Sequence, residues 1–200
     1  MKGLGLSVLS LALLLSAAPS IAFATDWQID PAHTNVEFSV RHLMISNVRG
    51  DFNKVAGTVT SDGQNPEAVK IDAVIDAGSI DTRIEKRDQH LKSADFLNVE
   101  KFPTIEFKSK KVVANGAGKW KVTGDLTLHG VTKEVVLDVE GPTTEIKDPM
   151  GNTRAGASAT TKISRKDFGL TWNKALETGG VMVGDEVEIT IDVEAVQKKG

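Results

Sequence analysis

Residues 34–44 read TNVEFSVRHLM. Val36, Phe38 and Val40 fall on one face of an extended chain; Asn35, Glu37, Ser39 and Arg41 fall on the other. That is the period-two alternation of a strand with one face buried. The apolar phase runs on through His42 to Met44. An imidazole at the end of an inward-facing row has two readings. It is a core histidine with a satisfied hydrogen bond, or the row lines a cavity and His42 stands at the rim, where the lining turns polar.

The same alternation recurs along the chain. Ile71 and Ile75 share a face in 69–75, Leu126 and Leu128 in 120–128, and Val135 and Leu137 in 135–139. Ile189 and Ile191 do so in 187–195. Shorter candidates lie at 50–60, at 104–113, with Ile105 and Phe107 in phase, and at 155–164. Hairpin-type punctuation separates them: SDGQNPE at 61–67, ANGAG at 114–118, HGVT at 129–132 and DPMGN at 148–152. The count is about eight strands, each with one apolar face, which predicts an all-β antiparallel barrel or sandwich. Closure at eight strands leaves an interior wide enough for side chains or for one small ligand. At roughly 3.3 Å per residue, tilted strands over 118–129 and 185–197 make a tube on the order of 30 Å tall. Its inward positions are mainly Val, Ile, Leu and Ala, and only seven Phe and three Trp serve the whole chain. Such a lining permits a long, thin, apolar cavity.

One segment breaks the pattern. DTRIEKRDQHLKSADFL, 81–97, predicts a short solvated helix on an end or flank of the barrel, with Thr82 and Glu85 as a capping box. Ile84 and Leu91 share its apolar stripe, and Asp88 and Lys92 form an i,i+4 pair. Asp88 and Asp95, near Arg87 and Lys92, suit a clamp between helix and barrel. Asp72 and Asp76 lie opposite the apolar phase of their strand and are expected to face water.

The chain begins MKGLGLSVLSLALLLSAAPSIAFA. Lys2, the apolar run Leu6 to Leu15 and Ala22-Phe23-Ala24 predict a secretory signal peptide over 1–24, cleaved to leave one domain over 25–200. The net charge of −3 argues against nucleic acid or an anionic membrane surface as the main partner. There is no cysteine, which removes disulfides, thiolate metal sites and thiol nucleophiles.

Six stretches stand in order: DPAHTNVEFSVRHL (30–43), GDFNKVAGTV (50–59), SIDT (79–82), RDQHLKSADFLNVEKFPTIEF (87–107), GDLTLHGVTKEVVL (124–137) and ISRKDFGL (163–170). Together they resemble the YceI-like family of exported polyisoprenoid-binding proteins, over nearly all of the chain beyond the leader. The resemblance implies an elongated, lipocalin-like, eight-stranded antiparallel barrel whose bore holds a long isoprenoid or similar apolar chain. It also implies a periplasmic address and allows a homodimer.

The remaining chemistry is sparse. His33, His42, His90 and His129 form no compact metal spacing, so neither metal nor other cofactor is expected. His33 suits a turn at the first strand's entry, His90 the short helix, and His129 a solvated place in a tight turn. No GxSxG elbow appears, ETGGVMVGDE at 177–186 reads as a loop, and no catalytic residue is assigned. Binding needs none of these. At about 0.8 kcal/mol per buried methylene-sized group, one isoprene unit contributes roughly 3 kcal/mol on leaving water. The expected function is therefore a carrier of a long-chain isoprenoid, such as a quinone or its precursor, that exchanges cargo by transient contact with a membrane. The alternatives are a stress-related binder of fatty acids or fatty amides, and an enzyme acting on such a lipid. The expected lining is the fourteen in-phase residues from Val36 to Ile191 named above, His42 included.

Overall fold

The computed structural model describes residues 25–62, 65–177 and 179–198, so the expected leader lies outside the described residues. In chain order the strands are β1 (Thr25–Ile29), β2 (Asn35–His42), β3 (Ser46–Phe52), β4 (Val55–Ser61), β5 (Lys70–Asp76) and β6 (Ile80–Asp81). The helix α1 (Glu85–Lys92) follows, then β7 (Thr104–Ala114), β8 (Lys119–Leu128), β9 (Val131–Glu140), β10 (Ile146–Lys147), β11 (Thr153–Ser164) and β12 (Val183–Gln197).

These segments make a closed eight-stranded antiparallel barrel with one short helix. The count reconciles because β1 runs on into β2, β3 into β4 and β5 into β6, while the two-residue β10 pairs only with β11 and adds no strand to the closed ladder. β1 pairs with β4 while β2 pairs with β3, and β4 pairs with β5 while β3 pairs with β6. From β5 the ladder passes through β7, β8, β9 and β11 to β12, whose far edge pairs with β2 and β1. Each strand meets its chain neighbour, as short hairpin connections dictate.

The three interruptions have local causes. Pro31 has no N–H to give the ladder, and Asp30 turns the chain by accepting from Ala32 N–H at 3.0 Å and holding His33 Nδ1 at 2.9 Å. Lys54 N–H turns aside to Ser79 Oγ at 3.1 Å. Asp76 caps the turn at 77–79 by accepting from Gly78 N–H at 2.8 Å. Registry sets these breaks side by side, so the sheet bends along one line.

The apolar row of β2 stops at His42. Leu43 and Met44 take φ of 51° and 64° to make the hairpin turn, which leaves Met44 40% exposed rather than continuing the row.

The helix starts two residues later than the capping box would place it. Ile84 stands at its N-cap with no side-chain cap and is 52% exposed. Thr82 is instead bonded to Asp88, which is 6% exposed and therefore no surface partner for Lys92. A side chain that satisfies a buried strand end cannot also serve the helix start.

The core is continuous at one end of the barrel and divided toward the other. At the first end Ile80, Leu97, Ile105, Leu128, Ile163, Phe168 and Leu170 pack together from around the circumference. Farther along, Val112, Val122, Leu137 and Ala159 form one wall, and Ile29, Val36 and Val55 the opposite one.

Candidate functional site

The space between the walls is a cavity of about 610 Å³. Its existence follows from side-chain size on two adjacent strands. Ala155 pairs with Ala195, Ala157 with Val193 and Ala159 with Ile191, all along the lining. A barrel of this strand number is filled when its inward residues are large. Small residues along one seam leave volume that the facing side chains do not reach. At Gly124 the Phe107 ring takes the place of a side chain, 2.5 Å from where a Cβ would stand. That keeps the ring against the wall.

Thirteen of the fourteen expected lining positions border this cavity. From the first half of the chain these are Val36, Phe38, Val40, Ile71 and Ile75. Ile105, Phe107, Leu126 and Leu128 follow on β7 and β8, then Val135, Leu137, Ile189 and Ile191 on β9 and β12. His42 is not part of the lining. It pairs with Val183 at a point where β12 is irregular between Val183 and Val187, and such a bulge re-aims side chains. It also lies toward the filled end, far from the mouth.

The mouth is at the opposite end. There the lining turns polar at Thr25 and Ser61, which pair across β1 and β4, at Gln197 opposite Trp27, and at Thr143 and Glu145. The segment 141–145 borders this opening and is fastened at two points. Trp120 Nε1–H donates to the Gly141 carbonyl at 2.8 Å, and Thr143 N–H to the Gly156 carbonyl at 2.8 Å.

The filled end is closed by the segments around α1 and the turn 165–168. Leu91 and Phe96 reach the cavity from the helix and the chain after it. His90 sits edge-on to both Phe96 and Trp172, with centroids 5.0 Å apart in each case, and its Nε2 lies 2.8 Å from Asp95 Oδ2. Asp95 therefore pairs within the helical segment, with His90 rather than with Arg87 or Lys92. His129 is half-buried, not solvated: it stacks edgewise on Phe102 at 4.7 Å, and its Nδ1 is 3.2 Å from the Phe168 carbonyl.

Arg165 also borders the cavity at this end and is 3% exposed. Burial pushes its guanidinium below the usual arginine range, against the opposing pull of Asp185. Its neighbours Phe168 and Leu170 and the cavity contact were not apparent from sequence, where ISRKDFGL carries the family resemblance but no period that orients Arg165. Glu145 was missed for a similar reason, lying in a connection with no periodicity. The alternating alanines at 155, 157 and 159 were visible as a signal.

Asp30, His33 and Glu194 bring ligand atoms within 4.8 Å of one another, outside the bore. Arg154 already supplies a cation there, with Nη1 at 2.6 Å from Asp30 and 2.5 Å from Glu194, and Nε at 2.7 Å from Asp148. The grouping is an ion-pair clamp joining β11, β12, the β1–β2 turn and the 148–152 turn.

Comparison with known proteins agrees with this geometry. The model of the YceI-like domain matches residues 27–195. A UPF0312 protein of Yersinia pestis (strain Pestoides F) is 42% identical over 193 residues, covering 96% of each chain. The crystal structure of the Campylobacter jejuni YCEI protein is similar with a TM-score of 0.67 and 35% identity, over 80% of this chain and 90% of that one. A domain from Saccharophagus degradans, described as polyisoprenoid-binding and implicated in plant cell wall breakdown, shares the fold with a TM-score of 0.64. Its identity is 14%, over 86% of this chain and 98% of that one.

Proposed function

The chain belongs to the YceI-like domain family, and on that premise we propose that it is a periplasmic carrier that holds a long-chain isoprenoid, a quinone or its precursor, in the bore. The observation that carries this reading is the cavity of about 610 Å³, walled by aliphatic side chains from strands all around the barrel and polar at its mouth. An apolar chain entering it leaves water at roughly 25 cal/mol per Å² of surface buried. No further chemistry is needed for retention. Release then requires an equal refuge, which a membrane touched by the mouth supplies. The description of the Saccharophagus degradans domain as polyisoprenoid-binding supports the same ligand class.

In this reading the head group stays at the polar mouth and the tail enters first. Neither fatty-acid binding nor turnover of the lipid has an observation of its own to favour it. The test is mass spectrometry of organic extracts from protein purified without detergent. A near-stoichiometric isoprenoid is the expected result, and extracts repeatedly empty from well-folded protein refute the reading.

A further inference from the structure

The bore has a floor. Ile105, Leu128, Ile163 and Leu170 border the cavity and are also packed into the continuous core at the filled end. Phe168 belongs to the same cluster, is 2% exposed and does not border the cavity, so its ring stands behind them.

The turn that carries Phe168 is strapped in place. Arg165 donates from Nε to the Gly184 carbonyl at 2.8 Å, and from Nη1 to the carbonyls of Leu170 at 2.5 Å and Trp172 at 2.9 Å. Its Nη2 donates to the Val183 carbonyl at 3.4 Å and to Asp185 Oδ1 at 3.3 Å. A guanidinium carries five N–H groups, and each has a protein partner. A tail reaching this end meets packed side chains held from several strands and a buried charge with no free donor. Its advance stops there.

Two independent measures say how much chain fits above the floor. An apolar protein cavity of about 150 Å³ takes up one benzene, or about 25 Å³ per carbon. On that scale the 610 Å³ of the bore holds about 24 carbons, close to five isoprene units. The second measure is length. Along β12 the lining runs from Val187, which packs against the floor, to Gln197 at the mouth. At roughly 3.3 Å per residue and a tilt of about 40°, that stretch rises about 25 Å along the barrel axis. An extended chain advances about 1.2 Å per bond, so an isoprene unit of four chain bonds takes about 5 Å. Length and volume both give about five units.

We propose that the bore selects its ligand by chain length, accepting tails of up to about five isoprene units and excluding longer ones, with the floor backed by Phe168 as the stop. This limit rests on the reading of the bore as an isoprenoid site. Its physical basis is the exchange with a membrane. A tail that fits passes from one apolar surrounding to another, at little net cost. Units beyond the wall leave the bilayer for water, and each one lowers retention about a hundredfold. Phe168 touches no ligand; it acts by holding the floor where it is.

The test equilibrates delipidated protein with phosphatidylcholine vesicles carrying equal amounts of polyprenols of three to nine isoprene units. The protein is then separated from the vesicles and its organic extract read by mass spectrometry. Retention relative to the donor vesicles is expected to stay level up to about five units, then to fall about a hundredfold at the next unit. Phe168→Ala removes the ring behind the floor, about one isoprene unit of carbon, and should move the cutoff up by about one unit. Val187→Phe adds bulk inside the bore beside the floor and should move it down by nearly as much. Because Val187→Phe takes nothing out of the core, it decides the matter alone if Phe168→Ala does not fold. Retention that stays level to nine units overturns the length limit and leaves the isoprenoid reading standing. A cutoff that no folded variant moves overturns the role given to the floor. Retention of no polyprenol at any length overturns the isoprenoid reading itself.

Discussion

Asp88 reaches back from the helix to Thr82, its Oδ1 accepting both the Thr82 N–H at 2.9 Å and the Thr82 hydroxyl at 2.5 Å. Arg87 completes the contact, donating from Nε to Thr82 Oγ1 and from Nη2 to the Thr82 carbonyl, each at 2.7 Å. Thr82 follows directly on β6, so these bonds tie α1 to the filled end of the barrel. Asp88→Ala strands a buried N–H and hydroxyl, and a loss of about 1–3 kcal/mol is expected in urea unfolding. Lipid per folded molecule should be unchanged, because Asp88 does not border the bore. Unfolding like the unaltered protein would dismiss the clamp.

The cavity depends on small residues where β11 and β12 meet. Ala155→Leu adds bulk opposite Ala195. In a solid core such overpacking costs about 1–3 kcal/mol. Here the added methyls have room, so the melting temperature should hold while extracted lipid falls. A large stability loss with unchanged lipid would mean that this seam is packed rather than open.

His42 resolves into neither of its two initial readings. It is half-buried, does not border the cavity, and its ring has no hydrogen-bond partner among the described residues. His42→Leu should therefore leave both lipid content and stability nearly unchanged, within about 0.5 kcal/mol as for a site with no special feature. A change in the spectrum of bound lipids would return His42 to the ligand.

Alternation made the barrel legible, because each row from Val36 to Ile191 had to choose a face and the choice was repeated strand after strand. It failed where tertiary contacts outrank local preference. Thr82 was drawn from helix capping to Asp88. His42 kept its phase while β12 slipped register beside it. Glu145 and Arg165 lie in connections, where no period says which way a side chain points. The mouth and the filled end look alike in the sequence; what separates them is which loops fold inward.

Arg154 gives the last prediction, and its sign is fixed by the carboxylates around it. The Arg154 hydrogen bond, with help from His33 and the Ala32 N–H, lowers the Asp30 pKa to about 2. Arg154 likewise holds Asp148 well below the usual carboxylate range. A carboxylate depressed in the folded state adds stability above its unfolded pKa, near 3.8, and that stability is lost as pH falls toward the folded value. Arg154→Met removes the cation and leaves Asp30, Asp148 and Glu194 facing one another, so the variant should melt below the parent at pH 7. As pH falls from about 4 through the folded Asp30 value of about 2, that carboxylate protonates in the parent as well, its ion pair with Arg154 is lost, and the two melting temperatures should draw together. Thermal melts of the pair across that range measure it directly. A gap that stays constant to the lowest pH would mean that Arg154 acts through packing of its stem, and that the ion pairs contribute little.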